Sequence, residues 1–166
     1  MEVKSKIIEI LTRTRDEIVQ NIDSQGIRAS GRTQESLKVE DRGESIVLVE
    51  DGGGAPFETL QFGRPGGRVP MGFRHIIRQW IIDKGIQTNP IPYKRAATDR
   101  WQPKYTAEER GLMAAAGAIA EKIRRVGTDR NANPNFNVYT EPINGAVDEL
   151  ADMLMDLITT EVKIKR

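Results

Sequence analysis

The sequence predicts an α+β fold: a single domain over residues 1–166, with about four helices packed on a small antiparallel sheet and long loops between them. Apolar residues recur at helical spacing in four long segments. Two short apolar runs flank a Gly-Glu turn, which is typical of a β-hairpin. The chain has 166 residues, 38% of them apolar, which is enough for one buried core and little for two domains.

The N-terminal part of the chain is predicted to hold one long helix and the hairpin. Val3 to Gln25 carry apolar side chains on one helical stripe and charges on the other face, and Gly26 is a natural stop. Ser30 is placed to cap a short helix or turn. The hairpin strands are expected at 37–41 and 45–50, and the second is apolar on both faces, as a central strand is.

Two middle stretches are predicted to lack regular structure. Residues 51–70 form a Gly/Pro-rich loop, and residues 85–105 form an extended Pro-rich arm or insertion. A helix over 72–84 separates the two. A loop as long as the arm, inside a compact domain, is usually functional.

The C-terminal part is predicted to contain the last two helices. Thr106 and Glu109 have the spacing of a capping box, which starts a helix that runs to about Val126. After a polar loop, the final helix is expected over about 144–160. Its inward stripe is predicted to consist of Val147, Leu150, Leu154, Leu157 and Ile158. The alternation that follows over 162–165 favours a short tail strand.

The composition excludes several kinds of enzyme. The chain has no cysteine, so disulfides, thiolate zinc sites and cysteine nucleophiles are absent. His75 is the only histidine, which rules out a metal site built from several imidazoles and leaves one candidate general base. No catalytic residue, metal ligand or cofactor is predicted, and the expected protein is not an enzyme.

Two weaker catalytic patterns have simpler explanations. The Gly52-Gly53-Gly54 run lacks the Lys-Ser/Thr ending of a phosphate loop and follows an acidic pair. Asp148 and Asp152 share one helical face, as a hydrolase pair would, but a solvated outer face explains them equally well. If the chain were a hydrolase, substitution of His75 or Asp148 would abolish turnover.

The charge is unevenly distributed along the chain. Residues 61–105 contain nine basic side chains against Asp83 and Asp99, a net +7; because the whole chain carries +1, the remainder carries −6. Such a segment is either a solvated surface or a surface that faces DNA or an acidic partner. The candidates for that role are Arg64, Arg68, Lys94, Arg95 and Arg100.

Aromatic residues in the same region allow two functions. Phosphates attract basic side chains and bases stack on aromatic rings, so the 61–105 segment suits a small nucleic-acid-binding protein. Aromatic residues are also favoured anchors between protein subunits, and this second reading is preferred. The interface candidates are Pro56, Phe57, Phe62, Tyr93, Trp101 and Tyr105.

Three segments of the chain stand out in this order: 30–37, 56–64, and 119–128 followed by 138–140. They resemble segments of the neck and tail-completion (head–tail joining) proteins of tailed bacteriophages and prophages. Ser30-Gly31-Arg32-Thr33-Gln34-Glu35-Ser36-Leu37 is similar to the family's small-Gly-Arg-x-x-x-Ser-aliphatic segment. The segment 56–64 resembles an aromatic-rich stretch that ends in an acidic-aromatic-Gly-Thr motif, with Gln61 in place of the acid and Arg64 in place of the Thr. The segment 119–128, followed by Val138-Tyr139-Thr140, is similar to a later helix and Gly-Thr turn.

This resemblance implies a structural role without enzyme activity. Members of the family are small α+β subunits that form rings, commonly hexamers or dodecamers, between the portal or connector and the tail. The implied partners are copies of the chain, the neighbouring portal, connector and tail proteins, and passively the packaged DNA. The implied location is the virion head–tail junction, after synthesis in the host bacterial cytoplasm. No membrane association is expected, since no run approaches the roughly 18 apolar residues of a span and no signal core follows Met1.

Overall fold

A computed structural model describes residues 2–28, 30–51, 57–94, 103–130 and 136–164. It combines helices with two small antiparallel sheets, which confirms the predicted α+β class. The four long helices are close to the predicted ranges, and two helices of about one turn accompany them. In chain order the elements are α1 (Glu2–Ser24), α2 (Arg32–Ser36), β1 (Leu37–Asp41), β2 (Ile46–Glu50), α3 (Phe57–Phe62), β3 (Gly63–Arg64), α4 (Phe73–Asp83), α5 (Ala107–Val126), β4 (Thr128–Asp129) and α6 (Thr140–Ile164).

The expected domain consists of two compact units. The terminal unit contains both ends of the chain, Met1–Phe62 and Arg130–Arg166, and the inserted unit is the continuous segment Gly63–Asp129 between them. The inserted unit has thirteen basic and six acidic residues, a net +7, so the terminal unit has a net −6. The uneven charge seen along the sequence therefore coincides with the division into units.

The terminal unit packs α1, α6 and the hairpin around one core. Strands β1 and β2 pair in antiparallel register, with Leu37 opposite Glu50. The side-chain amide of Asn21 donates to the Val138 carbonyl near the start of α6, so the two long helices run in opposite directions. The core consists of Ile18, Ile22, Leu37 and Val138.

The inserted unit is built on the pairing of α4 with α5. Ile77 and Ile81 of α4 are buried against Ala116 of α5, as their helical spacing predicts. The capping box at the start of α5 is confirmed, because the Glu109 amide donates to Thr106 Oγ1 and the Thr106 amide donates to the Glu109 carboxylate. Strands β3 and β4 pair the two ends of the unit.

Three predictions of local structure were wrong. The 51–70 segment is not all loop, because α3 and β3 lie within it; elements this short carry too few residues to show a period. The tail strand is replaced by a continuation of α6 to Ile164, since no Gly or Pro interrupts the helix after Gly145. Strand β2 is not central: in the described residues its sheet has two strands, and its apolar residues are half-buried beside the helices.

Candidate functional site

An apolar groove lies within the terminal unit, between α1, the hairpin and α6. Its volume is about 370 Å³. Buried Ile18 and Leu37 lie in its wall, and the one buried hydroxyl there, that of Thr14, donates to the Ile10 carbonyl at 2.9 Å within α1. This hydrogen bond satisfies the hydroxyl inside its own helix, so the wall offers mainly apolar atoms to an incoming group.

One lip of the groove continues along α6 as an exposed apolar surface, here called the α6 strip: Ile143, Val147, Leu154 and Ile158. These residues are spaced i, i+4, i+11 and i+15 and therefore share one side of the helix. Val147, Leu154 and Ile158 are 57%, 51% and 59% exposed. An exposed apolar surface of this kind is a candidate interaction surface.

The α6 strip corrects the predicted inward stripe of that helix. Pro142 and Ala146 are buried and Leu150 and Met153 are half-buried, so one side of the apolar stripe is covered in the terminal unit. The other side is exposed, and Leu157, which follows Leu150 and Met153 on the covered side, is itself 38% exposed near the end of the helix. The stripe is wider than the surface that α1 covers, and a helical pattern alone does not tell which part of a wide stripe meets a neighbour.

Acidic side chains lie on another face of α6. Asp148 and Asp152 are exposed and lie on the helix surface beyond Ala151 and Met155. The neighbouring Glu149 forms an ion pair with Arg13 of α1. The exposed surface of α6 therefore carries apolar side chains on one side and acidic side chains farther round, in a unit whose net charge is negative.

The candidate chemical residues are divided between the two units. Asp148 and Asp152 belong to the terminal unit and exposed His75 belongs to α4 of the inserted unit. Within the ranges that the structure describes, no group of three His, Asp or Glu side chains is placed to hold a metal ion. The Gly52-Gly53-Gly54 run lies outside those ranges.

The aromatic interface candidates have different surroundings. The Phe62 ring is 47% exposed and meets Tyr139 edge to face, with 6.3 Å between centroids. Tyr93 and Tyr105 are exposed on the arm, with cationic groups of Arg110 and Lys104 over their rings. Phe57 begins α3, and Pro56 and Trp101 lie outside the described residues.

The described part of the arm packs on its own unit. The Ile91 amide donates to the Ala107 carbonyl at 2.9 Å, and the Arg110 guanidinium donates to the Ile91 and Tyr105 carbonyls. The backbone of Asn89 approaches Gly111 so closely that a Cβ there would overlap the Asn89 carbonyl. These contacts hold both ends of the arm against the start of α5.

The basic candidates divide into engaged and exposed side chains. The Arg64 guanidinium donates to the Arg68 carbonyl at 3.0 Å and lies 5.6 Å from the centroid of the Phe73 ring. Both contacts are with residues of the inserted unit. Arg68 and Lys94 are exposed. Arg95 and Arg100 lie outside the described residues, and contact of any of these residues with DNA stays a prediction.

Gln61 organises the terminal unit in a way that the sequence did not reveal. Its buried Oε1 accepts the amides of Val138 and Tyr139, and its Nε2 donates to the Phe136 carbonyl at 3.1 Å. A carboxylate at this position lacks the donor and would face the carbonyl oxygen. A glutamine rather than an acid at position 61 thus has a structural reason.

Arg130 supports the same region. Its guanidinium donates to the Leu60 carbonyl at 2.9 Å and lies 5.3 Å from the centroid of the Phe136 ring. Partial burial lowers the pKa of Arg130 from its ordinary value, because desolvation disfavours the charged form. With Gln61, it connects α3 to the segment that leads into α6.

Two further findings concern membranes and known proteins. None of the described helices combines the length and the apolar character needed to cross a bilayer. Comparison with known protein families, with curated proteins and with solved structures finds no match.

Proposed function

We propose that the chain is a non-enzymatic structural subunit of the head–tail connector or neck ring of a tailed phage. It acts through protein–protein contacts around the DNA channel, with copies of itself and with neighbouring connector and tail proteins. The α6 strip carries this proposal. Its exposed apolar side chains continue from an apolar groove, and they meet no partner in the part of the chain that the structure describes.

The segments that resemble the neck and tail-completion family support the phage assignment. Gly31 has a φ of +88° at the start of α2, and Gly127 has a φ of +74° at the end of α5, where a Cβ would overlap the Arg64 carbonyl. Both residues occupy positions where the backbone requires glycine. The resemblance therefore concerns residues that shape the fold, as is expected of a shared architecture rather than a shared chemistry.

A small nucleic-acid-binding protein is the second candidate, favoured by the net +7 of the inserted unit. It predicts that the isolated chain binds double-stranded DNA at low salt, with an affinity that falls steeply as salt rises. Arg68→Ala/Lys94→Ala would then weaken binding, because both side chains are exposed. Absence of binding at about 50 mM salt eliminates this candidate.

Deletion of the gene in the phage or prophage that encodes the chain tests the main proposal. Electron microscopy of the lysate is expected to show filled heads and complete tails that are not joined, and wild-type chain supplied in trans should restore joining. Leu154→Ser/Ile158→Ser is expected to fail in this complementation. Val126→Ser changes an equally exposed residue of α5 and should succeed. Joined, infectious particles without the chain would refute the proposal.

A further inference from the structure

We propose that the α6 strip binds the inserted unit of a second copy of the chain, in a head-to-tail contact. This inference deepens the proposed ring function and rests on it. It assigns one occupant to the strip, and it states which surface of the second copy supplies the complementary chemistry.

Charge complementarity selects the occupant. The terminal unit, which carries the strip, has a net charge of −6, and the inserted unit has a net charge of +7. A contact between two terminal units would bring two negative surfaces together, which opposes association. A contact between a terminal unit and an inserted unit brings opposite charges together, which favours encounter and orients the partners.

The solvent-exposed face of α4 offers the matching side chains. Ile82 is exposed on that face, and half-buried Arg78 lies one helical turn before it. Met71, just before the helix, is fully exposed. This face, called here the α4 face, combines apolar anchors with a basic residue. It is suited to cover Leu154 and Ile158, and it belongs to the unit of opposite net charge.

A contact of this kind propagates. Each copy presents one strip and one α4 face, and the two surfaces differ, so a bound pair still exposes one of each. Such heterologous contacts close into a ring when the rotation between copies closes, and otherwise extend into a filament. A symmetric contact between two strips would stop at a dimer.

Sedimentation velocity of the full-length wild-type chain over a concentration series gives the first test. Self-association is expected, with a dissociation constant that rises as salt is added, because salt screens exposed charges. A chain that stays monomeric up to about 1 mM, the weak end of specific association, overturns the proposal.

Two complementary variants identify the surfaces. Leu154→Ser/Ile158→Ser alters the strip, and Met71→Ser/Ile82→Ser alters the α4 face; all four side chains are exposed, so the fold is expected to persist. Each variant alone should self-associate about tenfold or more weakly than wild type. Mixed in equal amounts, they should form a heterodimer and nothing larger, because each supplies the surface that the other lacks.

The other outcomes contradict the contact. Wild-type self-association of Met71→Ser/Ile82→Ser would indicate a strip-to-strip contact, and a mixture that stays monomeric would show that the two faces do not meet. Val126→Ser is the matched control, since it changes an exposed apolar residue on neither surface. The gene-deletion experiment separates the two proposals. If heads and tails stay unjoined but the two variants form no heterodimer, the ring function stands and this contact is refuted. If the heterodimer forms but particles without the chain are normal, the contact stands and the ring function is refuted.

Discussion

The side-chain oxygen of buried Gln61 accepts the backbone amide of Val138 at 2.7 Å. This bond joins two segments that lie 77 residues apart in the chain, and the inserted unit occupies most of the intervening sequence. The terminal unit therefore depends on a polar link as well as on its apolar core.

Replacement of this amide by a carboxylate should destabilise the fold. Gln61→Glu removes the donor to the Phe136 carbonyl and places negative charge beside that oxygen, at a cost of about 1–3 kcal/mol at neutral pH. Urea unfolding followed by circular dichroism measures the change. Gln20→Glu, at an exposed position of α1, is the matched control and should stay within about 0.5 kcal/mol of wild type. Equal stability of the two variants would contradict the role assigned to Gln61.

Alanine substitution at two helical glycines should change the free energy of unfolding in opposite directions. Gly145 of α6 has open space where a Cβ would lie, so Gly145→Ala should stabilise the chain by about 0.5–1 kcal/mol. Gly111 of α5 lies against the Asn89 backbone, so Gly111→Ala should cost about 1–3 kcal/mol through overpacking. Thermal unfolding distinguishes the two. Stabilisation by Gly111→Ala would mean that the arm does not pack on α5.

Truncation of core and strip residues should separate stability from assembly. Ile18→Ala leaves a cavity in the terminal core and should cost about 2–5 kcal/mol. Ile158→Ala, on the exposed strip, should change the unfolding free energy by less than about 1 kcal/mol and yet weaken self-association. Chemical denaturation at micromolar concentration gives the first quantity. A large loss for Ile158→Ala would show that the strip is covered within the monomer.

Acid should weaken the hairpin through two exposed carboxylates. Hydrogen bonds from Lys38 and Lys4 hold the pKa values of Asp51 and Asp41 below their ordinary 3.8. Because the folded pKa is the lower one, each ion pair contributes stability above pH 3.8, and this contribution is lost as pH falls through the lowered value. Denaturation midpoints between about pH 5 and pH 2 should fall less for Asp41→Asn/Asp51→Asn than for wild type.

Removal of the cationic partner gives an independent check of the same effect. Lys38→Met leaves Asp51 in place without its hydrogen bond, so the acid dependence should again become shallower. An unchanged slope in both variants would show that these pairs do not stabilise the folded state. The effect should shrink at high salt, because both partners of each pair are exposed.

The long helices were predictable because their signals are local. Gly26 ends the first helix region, Thr106 with Glu109 starts α5, and Ile77 with Ile81 marks the buried face of α4. The hairpin was predictable for the same reason, with its turn between two apolar runs. Each of these signals lies within a few residues of the element that it predicts.

The parts that were missed depend on distant neighbours. Whether Leu154 faces a core or solvent depends on how much of α6 is covered by α1, and the hydrogen bonds of Gln61 depend on residues more than seventy positions away. Strand β2 resembles a central strand in composition, although the described sheet supplies only one partner. The sequence therefore shows that the strip residues are apolar, but it does not show that they are exposed to solvent.

The pairing of β3 with β4 has a consequence for how such a chain is modified. Gly63 lies opposite Asp129, so the inserted segment leaves the rest of the chain and returns to it at nearly the same point. Segments with adjacent ends are the ones that tolerate excision, exchange and transplantation, because a short linker can replace them. Joining residues 62 and 130 through a short linker would therefore remove the 63–129 segment together with its net charge of +7. The terminal unit with its net charge of −6 would remain.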